Sequence, residues 1–344
     1  MNAAPLPALP FKPRKARSGL TLHLDAVPVA VVACAAQLVT AWGDGGLRYF
    51  ARQQTPDCLQ VHAGAILSLA ADAGGGVLSG GDDGVFALVE ARCIQVLARF
   101  PGRWVEHVAG AVDGSRACAV GRQVHLWEAD GRQHVLEHPS SVGGIAFDPA
   151  GGRLAASHYG GVTVWTRADG HWRASPQACR GSHLAVTWSP DGRFVLSSMQ
   201  EGAVHGWRVA DPMQLHIGGY ASKIRQWGWV GAAPWLVSGG ASAAILWPFD
   251  TDEGPMQRAA LQLFDDDAQT LVTAIGTLAD PPRVLAGRHD GSVLLGDPGD
   301  PLRWYSLPSA GRAPVVLLAV LPAPHWLLVA HADGDVLWMP LQLP

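Results

Sequence analysis

The chain has 344 residues, 48% apolar and only 16% charged, with a formal charge of −4 at neutral pH. This is a globular composition long enough for one large or two ordinary domains, and it lacks the basic excess that general nucleic-acid binding needs. The five cysteines (Cys34, Cys58, Cys93, Cys118, Cys179) are odd in number and show no C-x-x-C spacing, which argues against a disulfide scaffold and for a reducing, cytoplasmic setting.

Residues 1–19 carry Pro5, Pro7, Pro10 and Pro13 among Lys12, Arg14, Lys15 and Arg17, a pattern that predicts a flexible leader rather than packed strands. It has no signal-peptide apolar core, and no later run of about 18 apolar residues suggests a membrane span. Residues 20–344 are expected to form one domain. Thr21–Leu24 is a short predicted strand. Beyond it, a strand–turn–strand phrase recurs around Asp44-Gly45, Asp83-Gly84, Asp290-Gly291 and Asp333-Gly334. Asp-Gly between β-branched runs is a hairpin signal, because the turn needs residues that tolerate positive φ.

Extended, these phrases make eight units of three short strands, with third strands closing at Phe50, Val89, Trp127, Trp165, Trp207, Trp247, Gly296 and Trp338. The seven steps between Phe50 and Trp338 average about 41 residues, the period of a four-stranded propeller blade. Less regular fourth strands, such as Ile94–Ala98 and Gln214–Ile217, lie between units. Helical solenoids of similar period do not fit, since these runs are too short for a 3.6-residue pattern. The predicted fold is all-β, a single closed propeller of four-stranded antiparallel blades. Eight blades are favoured and seven are the alternative, with Thr21–Leu24 pairing with the last blade to close the ring.

The chain resembles the WD-repeat propellers over roughly residues 20–344. Unit four opens at His138, reaches Phe147, continues Asp148-Pro149-Ala150-Gly151 and closes on Trp165. Unit five carries Trp188-Ser189-Pro190-Asp191-Gly192, Ser197, Glu201 and Trp207. Unit two has His62, Ser79 and Asp83, and unit one has Thr40, Asp44 and Phe50. The resemblance implies that these residues belong to buried His–Ser/Thr–Asp–Trp networks that hold each blade together. No unit has all four: Cys179 stands where unit five should have His, Tyr159 takes the Asp position of unit four, Ser242 that of unit six, and Gly296 ends unit seven.

Catalytic signatures are absent: there is no G-x-x-x-x-G-K-[ST], H-E-x-x-H or G-x-S-x-G, and no cofactor is expected. The acidic run 265–267 reads as a solvated turn, and the insertion 251–257 lengthens the sixth repeat, a departure of the kind where binding function tends to lie. The chain is therefore expected to be a non-catalytic scaffold for a protein or peptide partner. Trp42, Arg122, Tyr159, Gln200 and Arg288, in equivalent turns, would form its binding rim. The alternative is a propeller that handles zinc or a small ligand through His158, His289 and His331, at the ends of second strands.

Overall fold

The computed structural model describes residues 19–34, 36–52, 54–211, 213–232, 234–266 and 269–343. Apart from Gly19 the predicted leader lies outside these residues, as does Asp267 of the acidic run. Among the described residues every regular element is a β-strand. The strands build antiparallel sheets in simple sequence order, the architecture of a β-propeller with four-stranded blades. Unit two is representative: Ile66–Ala71, Val77–Gly81, Val85–Glu90 and Cys93–Arg99 pair one after the other.

Seven sheets are seen, not the eight separate blades favoured from the sequence. The difference arises between units four and five, where Arg153–Ala168 and His171–Trp188 run on as long strands and yield one six-stranded sheet. Within it, 153–158 pair with Val142–Phe147, 161–168 with 171–178, and 183–188 with Phe194–Met199. The chain doubles back inside Arg153–Ala168: Gly160 and Gly161 take φ of 94° and 142°, and Arg167 N–H donates to Gly152 O at 3.0 Å. Positive φ is accessible at little cost only without a Cβ, so two glycines can replace an ordinary hairpin turn. The pairing of Tyr159 with Ser182 then carries the sheet across to unit five.

The described residues divide into two compact bodies, Leu24–Arg225, and 226–343 together with 19–23. In each, neighbouring sheets pack face to face on apolar clusters. Units two and three share Leu78, Phe86, Val105, Val108, Cys118 and Val120 in the first body. Units six and seven share Val237, Leu246, Phe264, Val272 and Val284 in the second. Strands covered on both faces are buried throughout, as Val77–Gly81 is, whereas the fourth strand Cys93–Arg99 is mostly exposed. That gradient explains the sequence pattern. Second and third strands are continuous apolar runs, while fourth strands are polar and irregular.

One device recurs in both bodies. Residues Pro28, Ile66, Val142, His183, Val272 and Val315 face Trp42, Gly81, His158, Met199, Arg288 and His331, and in each pair the first strand then carries one extra residue before the ladder resumes. These six bulges bend the first strand and set which side chain at the end of the second strand turns inward.

The N-terminal strand Leu20–His23 pairs with Asp335–Pro340, Leu20 facing Trp338 and His23 facing Asp335, and so supplies the fourth strand of the last sheet. His23 Nδ1 lies 2.8 Å from Asp335 Oδ1 at its end. Deleting residues 1–23 should uncover the edge of Asp335–Pro340 and cost about 2–3 kcal/mol, the burial of two partly covered leucines. Urea denaturation should show a lower midpoint with red-shifted tryptophan emission; an unchanged midpoint would mean that the strand contributes nothing.

Candidate recognition face and its histidine network

In the body Leu24–Arg225, the loops leading into each new sheet lie against the turns between second and third strands. Val105 N–H donates to Gly81 O at 3.0 Å, and Arg103 Nη2 reaches Val120 O at 3.0 Å. Val142 N–H bonds Gly121 O at 2.8 Å, Tyr159 N–H bonds Ser140 Oγ at 2.9 Å, and Gln200 N–H bonds Ser182 O at 2.9 Å. Loops and turns thus form one continuous face over units two to five.

Beneath that face, histidines tie loop to sheet. His62 places Nδ1 2.9 Å from Asp83 Oδ1 and Nε2 2.9 Å from Ser79 Oγ. A carboxylate only accepts, so Nδ1 carries the proton. Burial works against the charged form of Asp83, but the His62 hydrogen bond and the N–H groups of Ala63 and Val85 outweigh it and hold its carboxyl below the usual range. Val89, in the position expected for tryptophan, is buried apolar packing.

In unit four, Trp165 Nε1–H donates to His138 Nε2 at 3.0 Å, and His138 Nδ1 donates to Arg122 O at 3.2 Å. One ring nitrogen must accept and the other donate, so the ring has to be neutral. Burial pushes its pKa down to about 4, helped by neighbouring His158.

Unit five corrects the sequence reading. His183, not the Cys179 position, meets Ser197, with Nδ1 3.0 Å from Oγ, while His183 Nε2 lies 3.1 Å from Cys179 O. Glu201 is exposed and accepts from Ser182 N–H at 3.4 Å instead of holding a ring. Trp207 is buried without a hydrogen-bond partner for its indole N–H. It packs against His205, with ring centroids 4.7 Å apart. In unit one, Thr40 is buried and accepts from Trp42 Nε1 at 2.7 Å. Asp44 binds Arg48 at 3.0 Å, an interaction that holds its carboxyl below the usual range.

The five residues expected on the rim separate into two groups. Arg122, Tyr159 and Gln200 are exposed, Tyr159 by 68%. Trp42 is 0% exposed and Arg288 3%, so neither is presented at the surface. Arg48 lies over the Trp42 ring at 4.9 Å, while Arg288 reaches Phe264 O and Asp266, each at 2.7 Å. Both occupy the inward-turned position opposite a bulge. Successive strand residues alternate sides, so the exposed equivalents are one residue on, at Gly43 and His289.

The same alternation separates the three histidines of the metal reading. His158 is buried, with Nδ1 2.9 Å from Tyr159 O and Nε2 2.9 Å from Thr163 Oγ1. His331 is 0% exposed, and its nitrogens lie 2.7 Å from Ala313 O and 2.9 Å from Ser309 Oγ. Both rings are occupied by protein oxygens, whereas His289 is exposed. No group of three or more His, Cys, Asp or Glu side chains suited to a metal ion occurs among the described residues.

Trp104 is the surface residue that the repeat pattern hides. It stands 60% exposed in the loop 100–106, between the turns of units two and three. Its signal was an aromatic outside the strand-closing position, next to a Pro-Gly turn.

No protein-family model matches the chain, and no curated protein matches it. Among solved structures it resembles the crystal structure of the computationally designed Ika8 protein, with a TM-score of 0.73 and 18% identity over 93% of this chain and 98% of that one. At that identity the likeness concerns the fold alone.

The His138 geometry has a pH consequence. Its folded pKa lies below the ordinary value of 6.5, so the unfolded chain binds the extra proton and stability is lost as pH falls from about 6.5 towards 4. The loss should be on the order of 3 kcal/mol at most. His138→Gln should flatten that part of the stability–pH profile measured by urea denaturation, although it lowers stability at pH 8. A variant profile parallel to the wild type would show that His138 does not carry the effect.

Proposed function

We propose that the chain is a non-catalytic protein-interaction scaffold of WD-repeat type. Its binding rim is the loop-and-turn face of Leu24–Arg225, with Trp104, Arg122, Tyr159 and Gln200 as contacts. One observation carries this reading: two large aromatic side chains stand exposed on hydrogen-bonded backbone, Trp104 in the loop 100–106 beside the bond from Val105 N–H to Gly81 O, and Tyr159 within the strand Arg153–Ala168, its own N–H bonded to Ser140 Oγ. Apolar groups on rigid supports bind with little loss of conformational entropy, and Trp, Tyr and Arg are the residues that dominate binding hot spots.

The buried His62, His138, His158, His183 and His331 rings all have protein partners, which supports a division between a supporting interior and a recognising surface. Cys34 and Cys118 are buried free thiols, consistent with work in the reducing cytoplasm.

A proximity-labelling comparison between wild type and a Trp104→Ala, Tyr159→Ala double variant tests the proposal. Both side chains are exposed, so the thermal midpoint should be unchanged. A defined set of partners should fall at least tenfold in the variant. Identical partner sets at equal expression would contradict the rim.

A further inference from the structure

The recognition face is not electrically uniform over its length. On unit two its turn carries Asp82 and Asp83. From the loop 100–106 onward the balance reverses, with Arg103, Arg122, Arg180, Lys223 and Arg225 set against Glu106, Glu137 and Glu201. Arg103, Arg122, Arg180 and Arg225 are exposed, and none of the described salt bridges involves them. By contrast, Arg116 and Arg153 in the same body each hold a carboxylate, Asp72 at 2.6 Å and Asp148 at 2.9 Å.

The acidic residues in the same stretch are partly engaged. Glu137 Oε1 accepts from Gln123 Nε2 at 2.7 Å, and Glu201 caps Ser182 N–H at 3.4 Å. Lys223 reaches only a neutral group, Gln200 Oε1, at 3.5 Å. Among the described residues Arg122, Arg180 and Arg225 thus hold no carboxylate, Arg103 spends one donor on Val120 O at 3.0 Å, and Glu137 and Glu201 have spent part of their accepting capacity. Trp104 and Tyr159 stand among these cations.

We infer that units three to five bind an acidic peptide segment: an extended, carboxylate-rich stretch that also carries an apolar or aromatic residue. This rests on the reading of the face as a rim and assigns its partner chemistry. Guanidinium groups bind carboxylates bidentately, and the exposed indole and phenol rings give an apolar side chain a surface to cover. The acidic turn of unit two, with Asp82 and Asp83, repels the same segment, which confines it to units three to five.

The test is fluorescence anisotropy on the full chain with a labelled twelve-residue peptide alternating Glu with Leu and Phe. Its controls are a peptide with Lys for every Glu and a single-stranded oligonucleotide of equal charge as competitor. The Glu peptide should bind saturably and weaken at least tenfold between 50 and 300 mM salt, as expected for exposed charges. Arg122→Glu with Arg180→Glu should also weaken it at least tenfold, and Arg→Gln at both positions by an intermediate factor. Both side chains are exposed, so the thermal midpoint should hold.

Equal binding of the Lys peptide, no saturable binding of the Glu peptide at 1 mM, or unchanged affinity in the charge-reversed variant would overturn the inference. Equal competition by the oligonucleotide would assign the surface to nucleic acid and overturn it as well. If the Glu peptide fails while the Trp104→Ala, Tyr159→Ala variant still loses its cellular partners, the scaffold stands and the acidic partner falls.

Discussion

A loop that crosses from one sheet to the next must pair its polar groups with the sheet it enters, or bury them unpaired. That requirement governs this chain at nearly every repeat. An unpaired buried donor or acceptor costs about 1–3 kcal/mol, and in units two, four, five, seven and eight a side chain secures the crossing. In units two and five a loop or strand-start histidine meets a second-strand serine, His62 with Ser79 and His183 with Ser197. In unit four the histidine meets the third-strand indole of Trp165. Unit eight reverses the roles: His331, at the end of the second strand, reaches back to Ser309 and Ala313 on the loop. In unit seven Arg288 performs the same task with Phe264 O and Asp266. The chemistry varies, while the need to satisfy the crossing does not.

This variation explains how the repeats can be degenerate and still form regular sheets. The six bulges set an inward position in six of the eight repeats, and residues as different as Trp42, His158, Arg288 and His331 occupy it. The residue that follows is left to solvent. Structure and recognition are thereby separated by a single step along the chain, with His158 buried and Tyr159 exposed beside it.

Much of this was legible in the residues. Asp-Gly turns between β-branched runs reveal hairpins because few residues accept positive φ, as at Gly45, Gly84, Gly291 and Gly334. The 41-residue period and the strand near Thr21–Leu24 follow from spacing alone. What was hidden has local physical causes. A bulge adds one residue to an apolar run and leaves no compositional mark, so the side-chain phase at strand ends is not legible, and Trp42 and Arg288 read as surface residues although both are buried. His183 was missed because His171–Trp188 runs straight through where other repeats have a loop, which displaces the histidine from its usual spacing. The same continuity merges two units into one sheet. Trp104 lies outside the repeat pattern altogether, as residues used for recognition can.

The loop-to-sheet hydrogen bonds act as coupled structural supports. A double-mutant cycle on His62 and Asp83, with His62→Ala, Asp83→Ala and the double variant unfolded in urea, measures that coupling directly. The predicted interaction energy is about 1–3 kcal/mol, as for neighbours in one hydrogen-bond network. A value within a few tenths of a kcal/mol of zero would contradict the account, since the two residues would then act independently.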